Sequence, residues 1–281
     1  MGTLVTIDVA RAGAEAAIER AFGWFHQIEK CCTRFDERSE LMQLTARVGV
    51  PVPASAILFE SVQFALTVAE ETGGAFDPTV GHRMQARGIG MEHHTGEFIR
   101  TTIAADDDVS YRDVHVDADR RTITLMRPLI LDLGAVAKGL AVDMAARELE
   151  PFMDFSVNAG GDLYLGGSNP KGEPWCVGIR HPRRDGELIH SLRVSNQAVC
   201  TSGDYERGRH ILDPRSDALP DSVASATVVA PGAMLADAVS TAVFVLGPAE
   251  GIALLDRMGL DGLIVTPDLE RYETQGLCRA E

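Results

Sequence analysis

Two early stretches of the chain repeat apolar residues at helical spacing. Between Arg11 and Cys32, the residues Ala14, Ile18, Ala21, Phe22, Phe25 and Ile28 fall on one face, which predicts a helix packed by one side on a core. Ser55 to Glu71 repeats the pattern through Leu58, Val62, Ala65, Leu66 and Ala69, and Gly73-Gly74 supplies the expected stop. Met1 to Val9 alternates as a strand does, and the polar run Arg34 to Leu44 (RFDERSELMQL) carries a helix start at Ser39. From Tyr111 to Leu133 the period becomes that of strands, with Asp117 to Arg121 as a hairpin turn. The end of this region, Leu129 to Leu133, reads as a buried strand that breaks at a small, Gly-containing turn and leads into a helix from Leu140 to Leu149.

Short strands are then predicted near Phe155–Asn158, Leu163–Gly166, Trp175–Arg180, Leu188–Val194, Arg209–Leu212 and Val223–Val229. Helices over Ala236–Leu246 and Ala249–Met258 and a strand over Gly262–Thr266 follow. Runs of antiparallel strands with separated helices predict an α+β fold of mixed, largely antiparallel sheets with packed helices. No fixed repeat, low-complexity tract or long linker interrupts residues 1–281, a length that suits one large domain or two closely packed lobes.

Charge narrows the partners. A net charge of −15 argues against general binding to nucleic acid or to an anionic membrane. A phosphate-bearing ligand must then be held locally, by helix ends, a Lys or Arg, or a divalent metal, and the excess of acid favours the metal. The five cysteines (Cys31, Cys32, Cys176, Cys200, Cys278) are odd in number and show no C-x-x-C spacing, which argues against zinc and against a disulfide framework. Adjacent Cys31 and Cys32 read as core filler. No uninterrupted apolar run reaches the roughly 18 residues of a membrane helix, so no transmembrane segment is expected. The N-terminus lacks the features of a signal peptide, so the chain as given reads as cytoplasmic. Removal of a leader from a periplasmic or membrane-anchored protein would leave the same sequence. His93-His94, in the loop Gly88 to Gly96, reads as solvated surface.

Several segments carry candidate chemistry. In Leu129-Ile130-Leu131-Asp132-Leu133-Gly134-Ala135-Val136-Ala137-Lys138-Gly139, an Asp ends the strand and a Lys enters the helix, an arrangement that aims N–H groups and a cation at an anion. On a helix, Asp237, Ser240 and Thr241 share a face and present three hard oxygen donors suited to Mg²⁺. The same residues equally suit a capping Asp followed by Ser and Thr bonding back to the helix. Asn158-Ala159-Gly160-Gly161-Asp162 reads as a tight turn open to close approach by a ligand, or as a plain hairpin. Cys200 to Arg215 gathers hydroxyls, carboxylates, three arginines and His210 at strand edges and turns; His210 suits a general base, and a salt-bridged surface hairpin is the alternative. In Gly74-Ala75-Phe76-Asp77-Pro78 the ring at a helix exit is core or a stacking platform.

In this order, MGTLVTI, SELMQL, GAFDPTVG, LDLGAVAKGLAVD, VNAGGDL, TSGDYERGRHILDPR and APGAMLADAVSTAVFVLG resemble the ApbE family of FAD:protein FMN transferases, from residue 1 to about residue 247. The resemblance implies a single domain over residues 1–281, made of two closely associated lobes with the site between them. It also implies an Mg²⁺-dependent enzyme that cleaves FAD, attaches FMN through a phosphoester bond to a Thr of an acceptor protein, typically a redox-complex subunit, and releases AMP. By motif, Met1, Ser39, Glu40, Leu41, Ala75, Phe76, Asp77, Asp132, Lys138 and Ile211 would line the FAD site. The carbonyl of Ala135 with Asp237, Ser240 and Thr241 would hold Mg²⁺, and His210 would be the base that activates the accepting hydroxyl. Alternatives are an FAD pyrophosphatase giving FMN and AMP, or a non-catalytic FAD-binding protein. The run Asp221 to Thr227 loosely echoes the acceptor motif that such enzymes modify, although a strand of the fold is the simpler reading.

Overall fold

Residues 2–88, 105–106, 108–205 and 211–277 are described by a computed structural model, and in them the sequence periodicities become defined elements. Met1, His210, Cys278 and the pair His93-His94 lie outside the described residues. In chain order, β1 (Val5–Val9), α1 (Glu15–Cys32), α2 (Glu40–Thr45), β2 (Val52–Pro53), α3 (Ala56–Glu71) and α4 (Gly81–Ala86) come first. Next are β3 (Val114–Asp117), β4 (Thr122–Leu125), α5 (Gly134–Leu149), β5 (Phe155–Ala159), β6 (Asp162–Gly166), β7 (Trp175–Arg180) and β8 (Leu188–Val194). Then follow β9 (Gln197–Gly203), β10 (Ser225–Ala230), α6 (Ala233–Met258), β11 (Asp261–Val265) and β12 (Arg271–Glu273). All pairings between these strands are antiparallel, and the α+β reading holds.

The chain forms two compact units, the first built from Met1–Gly2, His26–Ala137 and Leu212–Ala218. It contains α2, α3, α4 and a three-stranded sheet ordered β2-β4-β3. Both predicted helix starts are capped: Ser39 Oγ accepts the Met42 N–H at 3.1 Å and Ser55 Oγ accepts the Leu58 N–H at 3.2 Å. The expected strand Leu129–Leu133 does not form. Its backbone bonds go instead to the turn after α3, with the Asp132 N–H on the Pro78 carbonyl (2.7 Å) and the Gly81 N–H on the Ile130 carbonyl (3.1 Å). An apolar run reports burial rather than pairing, and any buried extended segment carries the same signal. Helix α5 also starts at Gly134 rather than at Leu140, so the predicted turn is the helix's first turn. Asp132 Oδ1 accepts the Gly134 N–H at 2.8 Å, and the alanines that follow favour helix. Lys138 therefore sits in the second turn of α5.

The second unit comprises Thr3–Phe25, Lys138–Ile211 and Leu219–Glu281. Its seven-stranded sheet runs β1-β5-β6-β9-β10-β11-β12. Every residue of β10 is buried because helix α6 covers one face of the sheet and the β7–β8 hairpin covers the other. On the hairpin side, Leu165, Val199, Val229, Leu263 and Val265 pack with Val177, Ile179, Leu192 and Val194 in one apolar cluster. The segment Cys200–Gly203, read from sequence as edge and turn, is interior strand: β9 pairs with β6 on one side and β10 on the other. Its hydroxyls misled because they resemble turn chemistry, yet Thr201 is satisfied by Thr227 across the ladder at 2.9 Å. Thr227 is fully buried there, so the Asp221–Thr227 echo of an acceptor motif belongs to the core. The predicted strand Arg209–Leu212 is not seen in its described part, Ile211 and Leu212.

Helix α6 is broken where the two predicted helices meet, at Gly247 (φ 82°, ψ 179°) followed by Pro248. Pro248 cannot donate to the preceding turn, and only glycine adopts the Gly247 conformation freely. By length and composition α6 is apolar enough to cross a membrane, contrary to the sequence expectation, because Asp237 and Gly247-Pro248 interrupt its apolar run. Most of it is buried inside the second unit. The start of α6 approaches α5 so closely that a Cβ at Gly139 would lie 2.4 Å from the Ala233 carbonyl oxygen and 2.5 Å from the Met234 Cα. Replacing Gly139 by Ala should therefore force the two helices apart. We expect a loss of about 1–3 kcal/mol in denaturant unfolding, the usual range for an overpacked core.

Candidate active site

In the second unit a lysine lies between two buried acids. Lys138, on α5, points its Nζ at Asp237 Oδ2 (2.9 Å) on α6 and also pairs with Asp162 at the start of β6. The side chains of Asp162 and Asp237 are 4% and 8% exposed, so neither carboxylate relies on water for its charge balance. One ammonium facing two carboxylates leaves a local excess of one negative charge if all three are ionised. The sequence delivers the three groups from separate segments: the second turn of α5, the residue after the Gly160-Gly161 turn, and the second turn of α6. Asp237 consequently does not cap its helix, and that alternative reading of the motif fails. The N-cap position is Gly232.

The hydroxyl part of that alternative does hold. Ser240 and Thr241 donate to the Asp237 carbonyl at 2.9 and 3.2 Å. Ser202 on β9 approaches both, at 2.8 Å from Ser240 Oγ and 3.3 Å from Thr241 Oγ1. Each hydroxyl has one proton. With Ser240 and Thr241 using theirs on the carbonyl, the Ser202 proton is shared between them, and each keeps a further lone pair. The helix thus presents a carboxylate and two acceptor hydroxyls on one face, as the i, i+3, i+4 spacing predicts.

Asp143, one turn and a residue beyond Lys138, completes the joint between the helices. Its carboxylate accepts the N–H groups of Ala233 (2.6 Å) and Met234 (2.9 Å), which satisfies orphan donors at the start of α6. Burial pushes the Asp143 carboxyl above its ordinary pKa, while those two N–H groups pull it back. Burial likewise pushes the Cys200 thiol well up, with the charge of Asp237 next in effect, so Cys200 is no nucleophile. Its sulfur contacts the Ala233 carbonyl at 3.6 Å.

The first unit gathers Ser39, Glu40, Leu41, Ala75, Phe76, Asp77 and Asp132, and their side chains are occupied by protein partners. Leu41, Ala75 and Phe76 are core. Ser39 caps α2 and donates to the Thr33 carbonyl. Glu40 accepts the Ser55 N–H at 2.6 Å and the Cys31 thiol at 3.2 Å. Asp77 ties the Thr79 N–H (2.9 Å) and hydroxyl (2.7 Å) to the Tyr111 N–H (3.0 Å). Asp132 pairs with Arg34 at 2.5 Å, whose side chain is only 6% exposed and whose guanidinium also lies 4.3 Å from the Phe35 ring centre. Ala135 is the second residue of α5, in this unit. Ile211 is nearly buried in the second unit. Met1 and His210 lie outside the described residues.

Sequence reasoning missed Asp162, Asp143, Ser202 and Arg34 as structural partners of these groups. Asp162 belongs to the Gly-Gly-Asp run, whose sequence signals only a turn. Asp143 lies on α5 a turn or more past Lys138, a spacing that carries no signal until α6 is seen beside it.

A family model for the ApbE family matches residues 1–264. An FAD:protein FMN transferase from Treponema pallidum is 32% identical over 99% of this chain and 85% of its own length. One from Haemophilus influenzae is 29% identical over 80% of this chain and 71% of its own length. Among solved structures, the ApbE protein of Thermotoga maritima superposes with a TM-score of 0.85 at 28% identity, over 98% of this chain and 94% of that one. The Pseudomonas stutzeri flavinyl transferase ApbE, in its apo form, gives 0.82 at 26% identity over 98% and 93%.

The Asp143 cap has a measurable consequence. Asp143→Ala strands two donors at a buried helix end and should cost about 1–3 kcal/mol in denaturant unfolding. Because the folded protein holds the Asp143 proton more tightly than the unfolded chain does, stability contributed by this group falls as pH rises from the ordinary carboxylate pKa through the raised one. Asp143→Asn should flatten that slope in a pH series of thermal melts.

Proposed function

We propose, from the premise that the chain belongs to the ApbE family, that it is a magnesium-dependent enzyme that splits FAD, attaches FMN to a threonine hydroxyl of an acceptor protein and releases AMP. Its standing as a flavin-transferring enzyme rests on the relatives named above. The magnesium is supported by Asp237 with Ser240 and Thr241 in the second unit, whereas the threonine and the AMP are carried over from the motif resemblance.

The donor set fits a hard divalent ion. Asp237 brings a carboxylate, and Ser240 and Thr241 bring hydroxyl oxygens whose protons are already committed to the Asp237 carbonyl. Few protein ligands leave positions for water and substrate phosphate, which is the usual arrangement for Mg²⁺. When bound, the ion would draw charge from the phosphate oxygens as the FAD diphosphate is cleaved. Lys138, beside Asp237, adds a fixed cation for the diphosphate in a chain that is otherwise strongly acidic. Ser202 holds the two hydroxyls in orientation from the sheet side. A threonine hydroxyl is a poor nucleophile, and in our reading His210 takes its proton as it attacks, a role worth about 10²–10⁴-fold in general-base catalysis. Within the first unit, Glu40, Asp77 and Asp132 have their carboxylates on protein partners, so their contribution to holding flavin would come through backbone groups and the shape they maintain.

Incubation with FAD, Mg²⁺ and a Thr-containing acceptor protein tests the reading. AMP should appear together with acceptor-bound flavin, in equal amounts. Free FMN in place of bound flavin would favour the pyrophosphatase, and the absence of AMP would remove both enzymatic readings. Asp237→Asn should cut AMP release by about a hundredfold or more while FAD binding, followed by flavin fluorescence, changes little.

A further inference from the structure

Lys138 faces two acids, and only one of them belongs to the donor set that suits a metal. We propose that Asp162 is a holding position for Lys138: when a divalent cation binds Asp237, the ammonium gives up Asp237 and remains on Asp162. The inference rests on the magnesium reading above.

The geometry carries it in three steps. Lys138 Nζ occupies Asp237 Oδ2 at 2.9 Å, so a cation arriving at the same carboxylate meets a like charge within a few ångströms. The two cannot share that oxygen without strong repulsion. Departure of Lys138 into solvent would leave Asp162, whose side chain is 4% exposed, as an unpaired buried carboxylate, which is the costly way to break a buried pair. Asp162 is already in contact with the ammonium, so the lysine needs only to lose one partner and keep the other. Both ends of the remaining pair are fixed, Lys138 by the second turn of α5 and Asp162 by its place at the start of β6, and only the flexible lysine stem must adjust. Asp162 therefore acts as a positioning residue, through Lys138, on the affinity of Asp237 for metal. The exchange also inverts the local charge. Two carboxylates and an ammonium sum to minus one, and a divalent cation takes that to plus one, which suits an anionic diphosphate.

Calorimetric titration of the full-length protein with Mg²⁺ alone, and with Mn²⁺ as a second probe, reads this out without FAD or turnover. Lys138→Met should bind the ion more tightly than wild type, and Lys138→Arg should bind it no more tightly, because the competing charge is kept. Asp162→Asn should weaken binding by about tenfold or more, the scale seen for residues that support metal ligands, and Asp162→Glu should recover it. In the Lys138→Met background the Asp162→Asn effect should vanish, since Asp162 acts through the lysine. Tighter binding in Lys138→Met with a vanishing Asp162 effect supports the holding role. No tightening in Lys138→Met, or an Asp162→Asn penalty that persists without the lysine, overturns it while leaving the magnesium reading intact. Asp237→Asn separates the two, because wild-type ion binding in that variant would sink the magnesium reading itself. Melting curves establish that each variant is folded, and if Asp162→Asn alone is not, Lys138→Met against wild type decides.

Discussion

The joint between α5 and the start of α6 is the constraint on which the candidate site depends. Three residues of α5 make it: Gly139 lets the Ala233 backbone approach, Asp143 accepts the first free N–H groups of α6, and Lys138 reaches Asp237 one turn further along. Each contact alone is ordinary. Together they fix both the distance and the rotation of α6 relative to α5, and rotation decides which face of α6 carries Asp237, Ser240 and Thr241. A helix free to roll by one residue would lose the alignment of Asp237 with Lys138 and of Ser240 and Thr241 with Ser202. Here packing geometry and chemistry are written in the same short stretch of sequence.

The acidic character of the chain makes this local arrangement more than decorative. With a net charge of −15, the molecule's overall field repels a nucleotide diphosphate, and only short-range groups can reverse that. The buried lysine flanked by two acids is itself minus one, and it would do so only with a divalent cation beside Asp237; low exposure protects its interactions from screening by salt. The surface pairs, such as Arg38 with Asp36 or Arg184 with Glu187, lie in water and contribute little to either stability or binding.

Much of the architecture was legible because periodicity reports directly on burial. The long helices, the β3–β4 hairpin, both Ser caps and the break at Gly247-Pro248 follow from spacing and from the few residues that stop a helix. What periodicity could not supply was the partner. Leu129–Leu133 looked like a strand because it is buried and extended, yet its hydrogen bonds go to a turn. The end of β9 reads as strand edge and turn because Thr201 and Ser202 carry hydroxyls, and those hydroxyls find their partners on β10 and α6. For the site, the metal-type spacing of Asp237, Ser240 and Thr241 was visible, whereas Asp162 and Asp143 gain meaning only from what folds against them. The motif resemblance named Lys138 and Asp132 as contacts for a nucleotide; the structure adds that both already hold protein charges, Asp237 and Asp162 in one case and Arg34 in the other.

The strand order of the large sheet has a further consequence, for how the chain reaches this state. Its two edges are β1 and β12, the first and last strands in sequence, and β1 finds its neighbour only at β5, where Val5 pairs with Ala159. During synthesis, β1 is exposed as an unpaired strand until residues 155–159 have emerged, and the sheet stays open at its other edge until β11 and β12 follow. The β5–β6, β10–β11 and β11–β12 ladders join consecutive strands, so the closure that costs most chain entropy is that of β1 on β5.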